Sequence, residues 1–390
     1  MTDYFEKSLI MHQQLKGKVG IHNKLPIGSR EDLSVAYTPG VARPCEVIAE
    51  DPDEAFKLTI KGNSVAVISD GSAVLGLGDI GPLASLPVME GKALLFREFA
   101  KIDAWPVCLD TKDPDKIIET CRLIAPSFGG INLEDISAPR CFRIEEALQD
   151  LGIPVFHDDQ HGTAIVLLAG LINAAKVVNK SLGDLRVVIN GAGAAGTAIA
   201  KLIAGVGVEE ASVEPVQDVL LCDSRGIISR DREDLNEEKE KLLTFSNANN
   251  VSGSLKDALN DADVFIGVSK GNLLTATDIS SMADNAIIFG MANPVPEIMP
   301  EEAFAGGAAV VGTGRSDFPN QVNNVLVFPG IFRGALDARA PAITSGMKIA
   351  AALALAGTVD KPSAEMILPH PLDRTVAPEI AKQVRSAARK

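Results

Sequence analysis

The chain has 390 residues, 46% hydrophobic and 23% charged, which excludes a disordered polymer and is too long for one ordinary core. Its net charge of −14 argues against nucleic acid and anionic membranes as partners, but not against a small anion held by a local cation. Five cysteines without a Cys-x-x-Cys pair fit a reducing cytoplasm and no structural zinc. Met1 to Lys18 is polar, with no secretory h-region, and the longest apolar runs are too short to span a bilayer. A cytoplasmic protein is expected.

In chain order, Leu9 to Lys16 reads as helix, and Leu33 to Tyr37 as an extended segment ending in the turn Thr38-Pro39-Gly40. Val65 to Ser69 is a strand. Leu75 to Pro82 is too glycine-rich for a helix, and a helix follows over Met89 to Phe99, beginning near Gly91-Lys92. Trp105 to Asp110 is a short strand and Asp115 to Ala125 a helix. Then two apolar segments each deliver two consecutive acids: Ile131 to Leu133 runs into Glu134-Asp135, and Ile153 to Phe156 into Asp158-Asp159. Taken singly, each pair also reads as a helix cap or solvated loop. Taken together, carboxylates at the ends of strands in an α/β protein suit a hard cation such as Mg2+ or Mn2+.

A mostly apolar helix is expected from Ala164 to Val178. Arg186 to Asn190 is a strand that runs directly into Gly191-Ala192-Gly193-Ala194-Ala195-Gly196 and an alanine-rich helix to about Ala204. This is G-x-G-x-x-G between strand and helix, the context in which it marks a Rossmann-type dinucleotide site. The first glycine makes the turn, the second admits a pyrophosphate, the third lets helix pack on strand, and the helix N-terminus offers N–H groups. A strand over Val219 to Cys222 ends in Asp223, placed to accept from a ribose 2′-hydroxyl and so to favour NAD. NADP stays open because Arg225 lies close by. The gap from Gly191 exceeds the usual ~20 residues, which the segment from Glu209 to Gln217 explains as an insertion. Strands over Val264 to Val268, Ala286 to Phe289 and Ala309 to Val311 continue a doubly wound sheet. Asn293-Pro294 follows one strand, and Asn323-Asn324 precedes the apolar run Val325 to Phe328. Helical sequence from Thr344 to Ala356 and a basic tail, Lys382 to Lys390, close the chain.

Six blocks, Tyr37 to Ala42, Leu75 to Asp79, Gly91 to Ala93, Asn132 to Asp135, Phe156 to Thr163, and Asn323 to Val325 with Phe328-Pro329-Gly330, resemble malic enzyme, most closely its short bacterial and archaeal branch. The resemblance implies an α/β chain of two domains, a substrate and metal domain over residues 1–160 and a doubly wound dinucleotide-binding domain over 161–390. It implies Glu134, Asp135 and Asp159 as metal ligands, Lys92 as general base, Tyr37 as general acid, and Asp158 beside the lysine. Asn293 and Asn323 would touch substrate and nicotinamide, and the chain would form at least a homodimer. The activity implied is oxidative decarboxylation of (S)-malate to pyruvate and CO2 with reduction of NAD(P). The alternative is a malolactic-like decarboxylase without net redox. One departure stands out: larger members carry an arginine for a substrate carboxylate where this chain has Ala73, leaving Arg43 as a weak substitute.

Overall fold

The computed structural model describes residues 4–74, 76–208 and 213–389. Leu75 of the glycine-rich loop and residues 209–212 of the expected insertion lie outside the described residues. Four parallel strands, β1 (Ser64–Ser69), β2 (Asp103–Cys108), β3 (Gly130–Leu133) and β4 (Val155–His157), form a sheet in the order β2-β1-β3-β4. Successive side chains of a strand point to opposite faces, and here both faces are covered, which is why β1 is a continuous apolar run. Val65 and Val67 enter a core with Met89 and Phe96, while Ala66 and Ile68 enter another with Ile117, Cys121 and Ile144.

The second sheet contains β5 (Arg186–Asn190), β6 (Asp218–Asp223), β7 (Gly226–Ile227), β8 (Val264–Gly267), β9 (Ile287–Gly290) and β10 (Val310–Thr313). Its order is β10-β9-β8-β5-β6-β7, parallel except for the β6–β7 hairpin. The chain runs outward from β5 to β6 and returns to β8 on the other side. That reversal beside β5 is where such sheets open a ligand crevice. The expected α/β architecture with a doubly wound sheet is therefore present.

Several local expectations are corrected. Leu33 to Ala36 is not extended but belongs to the helix Arg30–Ala36. The Ser29 hydroxyl accepts from Asp32 N, and the Asp32 carboxylate accepts from Ser29 N and Gly28 N, a reciprocal cap that outweighs the strand-like alternation. The helix carrying Lys92 starts at Pro82, not near Gly91, because Pro82 occupies its first turn and Pro87 is accommodated inside it. Val325 lies in a short turn, Asn324–Leu326, and Phe328 opens the helix Phe328–Ala338. The basic tail that begins at Lys382 is continuous with an amphipathic helix, Val376–Ala387, whose Ile380, Ala381 and Val384 are buried.

The Phe328–Ala338 helix returns from the second sheet to the first. Phe328 and Phe332 meet Phe96 edge-on at 4.7 and 5.3 Å between ring centroids, and Phe332 meets Phe156 at 5.8 Å. Each such pair contributes about 0.5–1.5 kcal/mol beyond its buried area. The N-terminal helices Tyr4–Leu15, Arg30–Ala36 and Ala42–Glu50 differ from all this: none contains a buried residue.

Candidate active site

The carboxyl ends of β3 and β4 deliver the acids. Glu134 and Asp135 leave β3, and Asp158 and Asp159 open a π-helical turn, Asp158–Gly162, between β4 and the helix Thr163–Val177. Neither aspartate caps that helix; the capping position is Gly162, and no side chain bonds there. One oxygen each from Glu134, Asp135 and Asp159 lies within 4.8 Å of the others. Asp135 adopts φ +54°, a left-handed conformation that costs a non-glycine residue ~1–3 kcal/mol. Its N–H donates to Asp159 Oδ2 at 2.8 Å, which ties the two strand ends together. Gly162 must be glycine: a Cβ there would stand 1.9 Å from Asp158 Oδ1.

Lys92 reaches this cluster from the Pro82–Ala100 helix, on the same face as Met89 and Phe96. Its Nζ lies 2.5 Å from Asp158 Oδ2 and 2.8 Å from Glu134 Oε1, and 4.2 Å from the centre of the Phe328 ring. Asn324 Nδ2 donates to Asp158 Oδ2 at 3.1 Å, and Asn132 Nδ2 donates to Glu134 Oε2 at 2.8 Å. Lys92 pairs with two of the four carboxylates and is the one ammonium recorded against the cluster among the described residues. Burial, followed by the charge of Asp159, pushes Asp135 up to about 8. Burial also raises Glu134 and Asp158 against the opposing pull of Lys92. For Lys92, burial works downward but the two carboxylates outweigh it, so the ammonium is held protonated. This opposes the lowered pKa that a general base needs, and the physical cause is the uncompensated acid around it. A site with excess buried oxygen ligands and no sulfur fits a hard divalent cation. Asp135 Oδ2 and Asp158 Oδ1, both buried, have no hydrogen-bond partner among the described residues.

The glycine loop has the expected form. Gly191 sits at φ +123°, a Cβ on Gly196 would lie 1.7 Å from Gly191 O, and nothing stands within 4 Å of a Cβ on Gly193. The second glycine therefore leaves open space, and the third makes the close helix–strand contact. Ala192 and Ala195 pack partly buried against the main core, and Ala194, first residue of the helix Ala194–Ile203, packs against the core that holds Ile136 and Cys141. The π-helical turn also packs on that helix, so the acids and the dinucleotide loop are neighbours.

Family models settle the relationship. Those for the N-terminal domain and the NAD-binding domain of malic enzyme match residues 16–149 and 160–389. The chain belongs to the malic enzyme family. It is 56% identical over 387 residues to the bifunctional malic/malolactic enzyme of Bacillus subtilis (strain 168), covering 98% of this chain and 92% of that protein. Against the NAD-dependent malic enzyme of Geobacillus stearothermophilus the identity is 53%, over 98% of this chain and 78% of the relative. The crystal structure of the NAD-dependent malic enzyme from Thermotoga maritima superposes with a TM-score of 0.93 at 46% identity, covering 99% of each chain.

Of the residues that the malic enzyme resemblance singles out, the structure gathers Lys92, Glu134, Asp135, Asp158 and Asp159. Asn293 follows β9, and its backbone oxygen would lie 3.0 Å from a Cβ on Gly76, so the glycine-rich loop of the first half meets it. Asn323 Oδ1 accepts from Val325 N at 3.0 Å within its own turn, whereas the adjacent Asn324 faces Asp158. Tyr37 is 67% exposed and its hydroxyl bonds none of the described residues, so it is not brought to Lys92 within this chain. Arg43 pairs with Glu46 on the surface. Asp223 is clasped by cations that sequence reading passed over, Arg232 at 2.9 and 3.0 Å and Lys239 at 2.6 Å; Arg225 pairs with Asp234 instead. Burial raises the Asp223 pKa, but these hydrogen bonds prevail and hold it at about 2. Asn132 and Asn324 were within reach of sequence reasoning, since both stand inside the matching blocks.

Proposed function

We propose that this chain oxidatively decarboxylates (S)-malate to pyruvate and CO2 while reducing NAD(P). The observation that carries the reading is the buried acidic cluster at the ends of β3 and β4, with Lys92 inside it and the dinucleotide loop beside it. A divalent cation, Mg2+ or Mn2+, on Glu134, Asp135 and Asp159 supplies Lewis acidity toward the substrate oxygens, and the dinucleotide supplies the hydride acceptor. Lys92 takes the proton of the C2 hydroxyl. It can do so once the charge of a cation held by the acids offsets the pull of Asp158 and Glu134 on the ammonium, because burial by itself favours the neutral amine. Asp158, fixed by Asn324, aims the lysine. The Gly191 to Gly196 loop holds the pyrophosphate, Asp223 faces the ribose, and Asn293 with Asn323 borders substrate and nicotinamide. After loss of CO2, Tyr37 returns a proton to C3 of the enolate. The division near residue 160 separates the chain carrying the metal ligands from the chain carrying the dinucleotide loop. In the decisive assay NAD(P)H absorbance rises with malate, depends on Mn2+ or Mg2+, and stops with chelator; absorbance that never rises with either dinucleotide sinks the reading.

The 56% identity to a bifunctional malic/malolactic enzyme favours a second activity, release of lactate from malate without net NADH. Lactate measured beside pyruvate under the same conditions separates the two.

We also propose a homodimer. Tyr4, Leu9, Ile21, Leu33, Val35 and Tyr37 are all exposed on an N-terminal stretch whose helices contain no buried residue, and exposed apolar side chains gathered on one stretch suit a surface that a second copy covers. Tyr37 lies on that stretch, so the Lys92 it serves is either its own or the partner's. Mixing Tyr37→Phe with Lys92→Ala chains tells which, since activity returns only if the site is shared. No helix among the described residues is long and apolar enough to cross a membrane, and all five cysteines are free, which supports a reducing, cytoplasmic setting.

A further inference from the structure

Behind the acidic cluster lies a carboxylate with no place in the chemistry above. Glu145, on the helix Arg140–Ala147, is 8% exposed, and it reaches toward the turn that carries Asp158 and Asp159. Its Oε1 accepts the backbone N–H of His157 at 3.1 Å, and its carboxylate lies 2.9 Å from His161 Nε2. His157 ends β4 and His161 is the fourth residue of the π-helical turn, so the two contacts fall on either side of the Asp158–Asp159 pair. One side chain from another element thus grips the turn before and after its two acids.

The turn needs such a grip. Four carboxylates packed around one ammonium repel each other, and π-helical turns are rare in proteins and concentrate at functional sites. The aspartates hold the middle of the turn, Asp158 through Lys92 and Asn324 and Asp159 through the N–H of Asp135 across the strand gap, which leaves its two ends to other groups. Both ring nitrogens of His157 are buried without a partner, the nearer 3.8 Å from Asp159 Oδ2, so the ring anchors nothing and the backbone contact to Glu145 carries that end.

We propose that Glu145 is a positioning residue which, by holding His157 and His161, sets where Asp159 stands relative to Glu134 and Asp135 and thereby the chain's affinity for a divalent cation. The proposal rests on the metal reading given above. Groups that orient metal ligands from behind typically change metal affinity by ~10–100-fold when removed.

The test measures Mn2+ binding to the full chain by electron paramagnetic resonance, without malate or dinucleotide, alongside NADH binding by fluorescence. Glu145→Ala should raise the Mn2+ Kd by about 10–100-fold and leave the NADH Kd within twofold. Glu145→Gln keeps an oxygen for the His157 N–H and should recover most of the loss, which general destabilisation would not mimic. A Glu145→Ala chain with unchanged Mn2+ Kd, or one that loses Mn2+ and NADH binding in parallel while still folded by circular dichroism, overturns the proposal. If Glu145→Ala does not fold, His161→Phe removes only one arm and should still weaken Mn2+ several-fold; an unchanged Kd there overturns it equally. Failure of the unmodified chain to bind Mn2+, or equal binding by Asp159→Asn, overturns the metal reading and the proposal with it.

Discussion

Carboxylates at the carboxyl ends of β3 and β4 and the one at the end of β6 have opposite electrostatic fates. At the ends of β3 and β4, four acids cluster around Lys92, which pairs with two of them, and Asp135 is pushed up to about 8. At the end of β6, Asp223 alone receives Arg232, Lys239 and the Arg225 N–H, and is held at about 2. The residue type and the fold position are the same, so neither decides the role. The local charge count does: the first site lacks positive charge, and the second already has it. A shortage of cations marks a place for a metal, whereas a satisfied aspartate with two flanking cations marks a place where a phosphate or a hydroxyl competes for partners already present.

That contrast can be broken experimentally. The largest effect is expected from Asp159→Asn, which should reduce metal-dependent turnover by more than about a hundredfold while leaving dinucleotide binding nearly intact; near-normal turnover would remove the metal from the acidic site. Lys92→Ala should slow malate oxidation by about 10²–10⁴-fold, the usual worth of a general base, yet spare metal-dependent decarboxylation of added oxaloacetate, which needs no hydroxyl deprotonation. Equal losses in the two assays would show that Lys92 serves something other than proton removal. Next comes Asp223→Ala, which frees Arg232 and Lys239. The ratio of kcat/KM for NADP over NAD should rise about tenfold, the scale of one hydrogen bond to a charged group; an unchanged ratio means that Asp223 does not face the ribose.

The smallest effect is on stability. Asp135 keeps its proton in the fold up to about 8 and would lose it near 3.8 in the unfolded chain, so the folded form binds more protons between those values. Metal-free stability should therefore fall as pH rises from 5 to 8, by ~1 kcal/mol for each pH unit, each worth a degree or more of Tm. Asp223, ionised across that window, contributes no slope. Added Mn2+ should raise Tm more at pH 8 than at pH 5; a flat metal-free profile in scanning fluorimetry would contradict the raised acids.

Much of this was legible in the sequence. Val65 to Ser69 and Arg186 to Asn190 announce themselves because strands covered on both faces are uninterrupted apolar runs. The acidic pairs and the glycine loop are contiguous, so their chemistry survives being read along the chain. Contacts made at a distance do not. Arg232 and Lys239 reach Asp223 from 9 and 16 residues downstream, through the β6–β7 hairpin, and no local pattern points to them. Asn323 and Asn324 differ by which way one turn faces, and only the turn itself distributes their roles. For the helix Arg30–Ala36 the signal is local, since Ser29 and Asp32 form a capping pair that overrides the strand-like alternation of Leu33, Val35 and Tyr37. Tyr37 illustrates a different gap: its family motif is clear, while its exposed position follows from an N-terminal stretch whose helices contain no buried residue.

The return of the helix Phe328–Ala338 to the first sheet has a consequence for synthesis. Phe332 lies where a Cβ on Gly130 would meet its ring at 3.1 Å, and Arg333 Nη1 donates at 2.6 Å to Asn63 Oδ1, a partner 270 residues earlier. A ribosome adding ~5–20 residues each second needs roughly 15 to 50 seconds to cover that distance. During that time the nascent chain holds Val65, Val67, Phe96 and Phe156 with one wall of their core not yet made. The first sheet is translated early and completed late, so the vulnerable species in the cell is the half-made chain, and a release that truncates it before residue 328 should yield aggregate rather than a smaller folded protein.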